Sequence, residues 1–405
     1  MKEDQKSEIK KLHRSCPVCS GKYGAALHRI AMLLPDDVPI PGEYDVVCCS
    51  DCGFTFADAD GSQKMYDAYY KNNNDYSCSA LLKTGITESM NKARYQLLGR
   101  YVARDARILD VGCGSGSMLK LLKEKGYKNL YGLDPSRDFI EGLRAQGIRG
   151  GVKNIFDEIA DEHKHSFDVV MSTAVIEHIY DVNRFLEQLL GYLVPANGQV
   201  YIDAPAVEGF GQIYRSRANY FNQEHINYFS LTSLDNMLAK YGCERKSLEA
   251  ESVVMVHEEQ PEMSITAVYA HTGQKAGWKK DTVSKRSIKD YFVQDREKEQ
   301  ADAQKIQRFI RDSGSRILIW GTGAYTMQLL YSMPQIHERI AGFIDSNVMK
   351  TGRRILGKEV YAPQRLLHDA MPYPILICSM LNAGDIEKQI QAMGIANRYL
   401  SVADS

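Results

Sequence analysis

The 405-residue chain has an ordinary globular composition, with 44% hydrophobic and 25% charged residues, and is long enough for two or three packed domains. Its 50 lysines and arginines nearly balance its 51 aspartates and glutamates. The resulting net charge of -1 leaves no overall basic field that would attract nucleic acid or anionic lipid, so we expect a small-molecule substrate.

The chain begins with the charged segment MKEDQKSEIKK, which has no apolar stretch typical of a signal peptide. Nowhere do about 18 apolar residues follow one another, as a membrane-spanning helix requires. We therefore expect a cytoplasmic protein without a membrane partner. In that reducing compartment the nine cysteines are not expected to form a disulfide framework, and their spacing is better examined for metal binding.

Two Cys-x-x-Cys pairs lie near the start of the chain: Cys16 and Cys19 in CPVC, and Cys49 and Cys52 in CSDCGF. Two such pairs can surround one zinc ion tetrahedrally, because each two-residue gap allows a tight turn that brings both sulfurs together. Cys48 does not keep this gap to Cys52, so we do not expect it to be a ligand. The spacing predicts a structural zinc site, with redox or unrelated cysteines as the alternative.

The segment ARILDVGCGSGSMLKLLKEKG predicts a buried strand over 106–111, a glycine turn and an amphipathic helix. Glycines at such a turn allow a ligand to approach the backbone at the carboxyl end of a parallel strand. The next predicted strand, NLYGLD, ends in an aspartate at a distance suited to holding ribose hydroxyls. A nucleotide-containing cofactor is therefore predicted, with a Rossmann-like domain lacking a cofactor as the alternative. The candidate cofactor-binding residues of this region are Asp110, Gly112, Gly114, Gly116 and Asp134.

The spacing of the glycines helps to choose the cofactor. Two residues separate the last two glycines of the dinucleotide fingerprint, whereas only Ser115 lies between Gly114 and Gly116. Together with the preceding Asp110, this turn resembles motif I of the class I S-adenosylmethionine-dependent methyltransferases.

Further segments resemble the same family. FDVVMSTAVIEHI is similar to its fourth strand and the following loop, and GQVYIDAP is similar to its fifth strand. The resemblance implies cofactor contacts from Ser172 and His178. It also implies a seven-stranded α/β sheet with an antiparallel hairpin at one edge, for which 243–252 and 263–271 are the candidate last strands.

The remainder of the chain predicts a helical linker and a second Rossmann-like domain. Residues 279–313 are rich in charged and amide side chains with spaced apolar residues, which is typical of linking helices. RILIWGTGAYTMQLL then repeats the strand, glycine turn and helix, and IAGFIDSN ends a strand in Asp345. Thr326 stands in the place of the third glycine, so a scaffold or substrate-clamping role is favoured over NAD binding.

Zinc-binding pairs, a methyltransferase core and a terminal Rossmann-like domain, in this order, resemble the sugar C-methyltransferase family, which modifies nucleotide-linked ketosugars. The segment FIDSNVMKTGRRILGKEVYAP is particularly similar to the terminal domain of that family. The predicted divisions are a zinc-binding domain over 1–75, a methyltransferase domain over 76–278, a helical linker over 279–313 and a C-terminal Rossmann-like domain over 314–405.

The stretch NYFNQEHINYFS contains the candidate catalytic pair, Glu224 and His225. Methylation of carbon requires a base that removes a proton beside a ketone and a group that stabilises the enolate. A histidine suits the first role, and a neighbouring carboxylate or phenol can orient it. The stretch resembles the family's Tyr-His-Glu-His loop, although Asn222 and Gln223 stand at its first two positions. Tyr76 in DYSCS resembles the family's other active-site tyrosine.

Three alternatives remain. Asn222 and Gln223 leave open an O- or N-methyltransferase that acts on a small metabolite or a carrier-bound intermediate. A zinc-ribbon protein that binds nucleic acid is disfavoured, because no basic cluster with interleaved aromatic residues lies near the cysteine pairs. In the third alternative, Glu224 and His225 only cap a helix, and the aromatic residues that follow them belong to the core.

Overall fold

The computed structural model describes residues 8–34, 38–72, 84–195, 197–255, 262–368, 371–380 and 382–403. These residues form three β-sheets with helices packed around the second and third. No described helix combines the length and the apolar character that crossing a membrane demands.

The first sheet is antiparallel and contains the cysteine pairs. Its strands follow the order β1 (Ile9–Lys11), β2 (Tyr23–Ala31), β3 (Glu43–Cys49), β4 (Thr55–Asp58) and β10 (Asn227–Tyr228), so its last strand comes from a much later part of the chain. Every residue of β4 is buried, and this strand pairs with β3 on one side and with β10 on the other. The helix α1 (Gln63–Asn72) follows β4.

The second sheet is built from alternating strands and helices, and its core strands are apolar because helices cover both faces. Its elements are α2 (Thr84–Tyr101), β5 (Arg107–Val111), α3 (Ser117–Glu124), β6 (Asn129–Asp134), α4 (Arg137–Ala145), β7 (Arg149–Val152), β8 (Val169–Thr173), α5 (Val182–Tyr192), β9 (Gln199–Pro205), α6 (Arg217–Tyr220), α7 (Leu231–Ala239), β11 (Cys243–Arg245), α8 (Glu249–Ser252), β12 (Val253–Met255) and β13 (Met263–His271).

The strand order of this second sheet is β11-β13-β9-β8-β5-β6-β7, and β12 also pairs with β13. The five strands from β9 to β7 are parallel, whereas β13 is antiparallel to β9 and carries β11 and β12 on its other side. The predicted mixed sheet with an antiparallel edge is therefore confirmed, and the strand over 263–271 has the predicted bounds.

The other predicted hairpin strand, over 243–252, is only partly right. Strand structure is limited to β11, and α8 occupies the end of the segment before β12 resumes the pairing. The cause is local hydrogen bonding: the Glu251 carboxylate accepts from the Leu248 main-chain N–H, and the Ser252 hydroxyl donates to the Leu248 carbonyl. These capping contacts favour a helical turn over continued pairing.

The predicted linking helices are one continuous helix, α9 (Ser284–Ser313), of 30 residues. Spaced apolar residues of this helix are buried, among them Ile288, Tyr291, Phe292, Ile306 and Phe309. Phe292 stacks on His28 of β2 with ring centroids 3.9 Å apart. The helix therefore packs against the first sheet as well as preceding the third.

The third sheet has the order β16-β17-β15-β14-β18-β19 and is parallel except for the β16-β17 pair. Thr326 is buried, and its hydroxyl donates to the Gly321 carbonyl at 2.6 Å, so a side chain fills the space where a third glycine would lie. The predicted second Rossmann-like fold is confirmed. Its elements are β14 (Ile317–Trp320), α10 (Ala324–Ser332), β15 (Ile340–Ile344), β16 (Arg354–Ile355), β17 (Lys358–Tyr361), α11 (Arg365–His368), β18 (Ile375–Ile377), α12 (Ala383–Ala392) and β19 (Tyr399–Ser401).

Candidate active site and zinc centre

The structure brings the four predicted cysteine ligands together. The sulfurs of Cys16, Cys19, Cys49 and Cys52 all lie within 4.8 Å of one another. The Cys16–Cys52 and Cys19–Cys49 sulfur pairs are 3.5 Å and 3.4 Å apart. A tetrahedral site with Zn–S bonds of about 2.3 Å has sulfur–sulfur separations of about 3.8 Å, so the cluster fits a zinc ion after a slight expansion.

Tight turns hold the four sulfurs in this arrangement. Gly53 follows the second pair with a left-handed φ of 83°, which permits the turn there. A Cβ atom at Gly21 would lie 3.2 Å and 3.1 Å from the sulfurs of Cys19 and Cys49, so glycine keeps that side of the cluster clear. The Cys48 thiol instead donates to the Gly53 carbonyl at 3.4 Å and lies outside the cluster, as its spacing predicts.

The glycine turn after β5 has left-handed backbone at Gly112, Gly114 and Gly116, with φ values of 73°, 52° and 73°. A Cβ atom at Gly112 would lie 2.6 Å from Val175, and one at Gly116 would lie 2.3 Å from Leu143. These two glycines therefore permit close packing. A Cβ atom at Gly114 would meet nothing within 4 Å, so this part of the turn leaves room for a ligand against the backbone.

Two carboxylates flank this turn. Asp134, at the end of β6, accepts hydrogen bonds from the main-chain N–H groups of Gly114 at 2.9 Å and Ser136 at 2.8 Å. Burial raises the pKa of Asp134, and these two hydrogen bonds oppose that effect. Asp110 lies deeper, where burial raises its pKa to about 7 and the positive charge of Arg94 opposes the rise. The turn thus has an open backbone and an adjacent carboxylate, both of which fit S-adenosylmethionine.

The carboxyl ends of β8 and β9 contribute buried polar groups next to this region. Ser172 is fully buried, and its hydroxyl has no hydrogen-bond partner among the described residues. Asp203 accepts hydrogen bonds from Arg94 of α2, at 3.0 Å from Nε, and from the hydroxyls of Ser264 and Thr266. No sequence motif predicts this buried ion pair. The available signal was Asp203 itself, an acidic residue near the end of the otherwise apolar predicted fifth strand.

The turn that follows β8 connects the glycine turn with the Glu224–His225 loop. On one side, Val175 occupies the space next to Gly112. On the other side, the side-chain amide of Asn227 donates to the main-chain carbonyls of Ile176 at 2.9 Å and Ile179 at 2.7 Å. The candidate catalytic loop is therefore attached to the predicted cofactor side of the sheet.

The Glu224–His225 pair is held by side chains distant in sequence. The Asn222 side-chain oxygen accepts from the main-chain N–H groups of Glu224 at 2.8 Å and His225 at 2.9 Å. The Tyr69 hydroxyl donates to the Glu224 carboxylate at 2.5 Å. The helix-capping alternative is wrong, because Ser230 caps the following helix α7. The same alternative also predicted that the aromatic residues after the pair belong to the core, and this is confirmed because Tyr228 and Phe229 are buried.

His225 and His178 lie against each other in a perpendicular arrangement, with ring centroids 4.7 Å apart. Burial lowers the pKa of His225 to about 3 and that of His178 to about 4, so both imidazoles are neutral at physiological pH. Tyr70 places its hydroxyl 3.1 Å from Nδ1 of His178. Glu177 lies 3.8 Å from Nε2 of the same ring, and burial raises the pKa of this carboxyl group to about 8.

Tyr69 and Tyr70 are functional candidates that no sequence motif indicated. Both belong to α1, whose segment MYDAYYKN contains three tyrosines within five positions, and this density was the only local signal. Tyr76, the tyrosine predicted from the family resemblance, lies outside the described residues.

Comparisons with known proteins agree with the two α/β domains. Residues 86–248 match the model of a methyltransferase domain family, and residues 313–400 match the model of the C2185-like N-terminal domain family. The chain is 34% identical over 110 residues to a tRNA U34 carboxymethyltransferase of Idiomarina loihiensis, covering 25% of this chain and 34% of that protein. It is 35% identical over 97 residues to a ubiquinone biosynthesis O-methyltransferase of Azorhizobium caulinodans, covering 23% and 37%. The chain thus spans about a third of the length of these curated relatives.

Among solved structures, the chain is similar to the 1,6-didemethyltoxoflavin-N1-methyltransferase of Burkholderia thailandensis, with 16% identity, a TM-score of 0.42, and coverage of 55% of this chain and 96% of that one. For the magnesium protoporphyrin IX methyltransferase of Synechocystis PCC 6803 the identity is 12%, the TM-score 0.37 and the coverage 52% and 97%. The glycine turn, the strand order and the family matches agree with one another. They show that the chain contains a class I S-adenosylmethionine-dependent methyltransferase domain followed by a C2185-like domain.

Proposed function

We propose that this methyltransferase domain methylates a carbon atom of a nucleotide-linked ketosugar, after base-assisted formation of an enolate. S-adenosylmethionine supplies an electrophilic methyl group bound to its sulfonium sulfur. The observation that carries the proposal is the attachment of the Glu224–His225 loop to the turn after β8, which itself packs against Gly112. This arrangement supports an acceptor site directly beside the cofactor site.

In this proposal His225 removes the proton from the carbon beside the ketone. Its imidazole is neutral, so a nitrogen lone pair is available, and Glu224 stabilises the positive charge that the ring gains. The hydrogen bond from Tyr69 orients that carboxylate. The pair is only partly exposed, which strengthens each of these interactions relative to bulk water.

The two departures from the sugar C-methyltransferase loop have a consistent explanation. Asn222 stands in place of a tyrosine, and its side chain holds the main chain of the next residues, while Tyr44 donates to its main-chain carbonyl at 2.9 Å. Tyr69 supplies a phenol beside Glu224 from α1 instead. Gln223 replaces the family's first histidine, and its amide lies 3.4 Å from the same phenol.

We assign the cofactor contacts to the residues that line the carboxyl ends of the strands. Asp134 is expected to hold the ribose hydroxyls, and the open backbone at Gly114 is expected to accommodate the amino acid part. The further proposed contacts are Asp110, Gly112, Gly116, Ser172 and His178. The four clustered cysteines are proposed to hold a structural zinc ion that takes no part in methyl transfer.

The test isolates the proton-removal step. With S-adenosylhomocysteine bound, a nucleotide-linked ketosugar in heavy water should exchange the hydrogen beside its ketone for deuterium, as followed by NMR. His225→Ala should slow both exchange and methylation by about 100- to 10,000-fold. The matched control is His368→Gln, which replaces an exposed histidine in α11 and should leave both rates unchanged. Methylation by the native protein without any exchange would refute the carbon-acid mechanism.

A second candidate is O- or N-methylation of a small metabolite, because one similar curated protein is named an O-methyltransferase. An oxygen or nitrogen acceptor already has a lone pair, so it needs no removal of a carbon-bound proton. The position of the transferred methyl group, determined by NMR of the product, separates the two candidates.

A further inference from the structure

A second cluster of metal-ligand side chains lies apart from the four cysteines. Glu177, His178 and His225 each offer one ligand atom, and these three atoms lie within 4.8 Å of one another. Two of the residues belong to the turn after β8, and the third belongs to the loop before β10. Two imidazole nitrogens and one carboxylate oxygen form a ligand set that first-row transition metals prefer, whereas Mg²⁺ and Ca²⁺ favour oxygen ligands.

The Glu177 carboxylate is an independent sign of a ligand. Glu177 is only 2% exposed, and its Oε2 has no hydrogen-bond partner among the described residues. Its Oε1 lies 3.8 Å from Nε2 of His178. A buried carboxylate oxygen without a partner is costly, and it is rare in folded proteins unless an ion or water satisfies it.

The surroundings of His178 also suit coordination. The Tyr70 oxygen lies 3.1 Å from Nδ1, so it can accept the Nδ1–H hydrogen bond. That tautomer leaves the lone pair on Nε2, the nitrogen nearer to Glu177. Metal-bound histidines commonly donate their other ring N–H in this way, which fixes the tautomer and the orientation of the ring. Two ligands on one zinc ion are separated by about 3.3 Å when their bonds are about 2.0 Å, so the observed 3.8 Å requires only a small contraction.

We propose that Glu177, His178 and His225 bind one divalent transition-metal cation of the zinc class, at a site distinct from the cysteine cluster. The metal uses a lone pair of the His225 imidazole. If His225 is the base, a point that rests on the proposed function, coordination and proton removal exclude each other. The bound metal is therefore an inhibitor of methylation, and its removal restores the base.

Cobalt(II) is a suitable probe, because its spectrum distinguishes nitrogen and oxygen ligands from thiolates. Purified protein whose cysteine cluster already holds zinc is titrated with Co²⁺. One equivalent should bind with d–d absorption and without thiolate-to-metal charge-transfer bands. Absence of this second equivalent, or appearance of thiolate bands alone, would overturn the proposal.

Variants then assign the ligands without measuring activity. Glu177→Gln and His178→Asn should each abolish the second equivalent while the zinc content of the cysteine cluster stays at one, and a thermal unfolding transition like that of the native protein shows that each variant is folded. Tyr70→Phe should weaken Co²⁺ binding by about 10- to 100-fold, because it removes the group that orients the ring. His368→Gln is again the control and should bind Co²⁺ as the native protein does. Unchanged Co²⁺ binding in folded Glu177→Gln would assign the metal to other residues and contradict the proposal.

The inhibitory role has its own test. Added Zn²⁺ should slow deuterium exchange and methylation together, and a chelator too weak to remove thiolate-bound zinc should restore both. Binding of Co²⁺ without inhibition by Zn²⁺ would support the metal site but would refute the role of His225 as the base. Inhibition without a second Co²⁺ equivalent would refute the metal site alone.

Discussion

Replacing Asp134 tests the cofactor site directly. Its carboxylate accepts two main-chain hydrogen bonds, from Gly114 at 2.9 Å and Ser136 at 2.8 Å, and the residue is 8% exposed. In the cofactor complex the same carboxylate is expected to hold ribose hydroxyls through charge-assisted hydrogen bonds. The loss of such bonds in Asp134→Ala should weaken binding by about 1.5 to 3 kcal/mol, which corresponds to roughly 10- to 150-fold in Kd.

The assay is titration calorimetry with S-adenosylmethionine and S-adenosylhomocysteine, which should weaken together because they share the ribose. Asp134→Asn keeps one acceptor oxygen and should show a smaller loss. Asp138→Asn is the matched control, since this aspartate is exposed on α4 and should bind both ligands normally. Thermal unfolding reports the separate cost of leaving the two main-chain N–H groups without an acceptor. Native affinity in a folded Asp134→Ala protein would refute the assignment of the ribose site.

Three further predictions concern the other parts of the molecule. The protein purified without chelators should contain zinc, and metal analysis that finds none would contradict the zinc assignment. The Cys49→Ser variant should lose the zinc, and its first sheet should unfold at a lower temperature. Tyr69→Phe should reduce the rate of methylation by about 10- to 150-fold, because it removes a hydrogen bond to the Glu224 carboxylate. The affinity for S-adenosylhomocysteine should stay unchanged. A variant that methylates as fast as the native protein would argue against a role of the Glu224 carboxylate. In denaturant titrations, Arg94→Met should lower the free energy of unfolding by about 3 to 5 kcal/mol, since it leaves the Asp203 charge buried without its cation. The double variant with Asp203→Asn should recover part of that loss.

Several features that local sequence determines were predicted correctly. The spacing of the cysteine pairs restricts each turn so strongly that the four sulfurs could be expected to cluster, and they do. The glycine turn was equally informative, because Gly112, Gly114 and Gly116 all adopt left-handed backbone, which other residues seldom adopt. Alternation of apolar strands and amphipathic helices likewise predicted the α/β sheets. The short helix within 243–252 was missed because its capping hydrogen bonds compete with strand pairing over only a few residues.

The arrangement of the candidate active site was decided by contacts between distant parts of the chain. Tyr69 and Glu224 are 155 positions apart, and Tyr70 and His178 are 108 positions apart, so no periodicity relates them. They meet because Asn227 lies in β10, which joins the first sheet and brings its loop beside α1 and the turn after β8. Burial then determines the chemistry of these groups: it lowers the pKa values of the two histidines and raises that of the neighbouring Glu177. Residue types and their spacing specify which ligands and bases a chain can offer, but their proximity and protonation depend on desolvation and packing, which arise only when the sheets assemble.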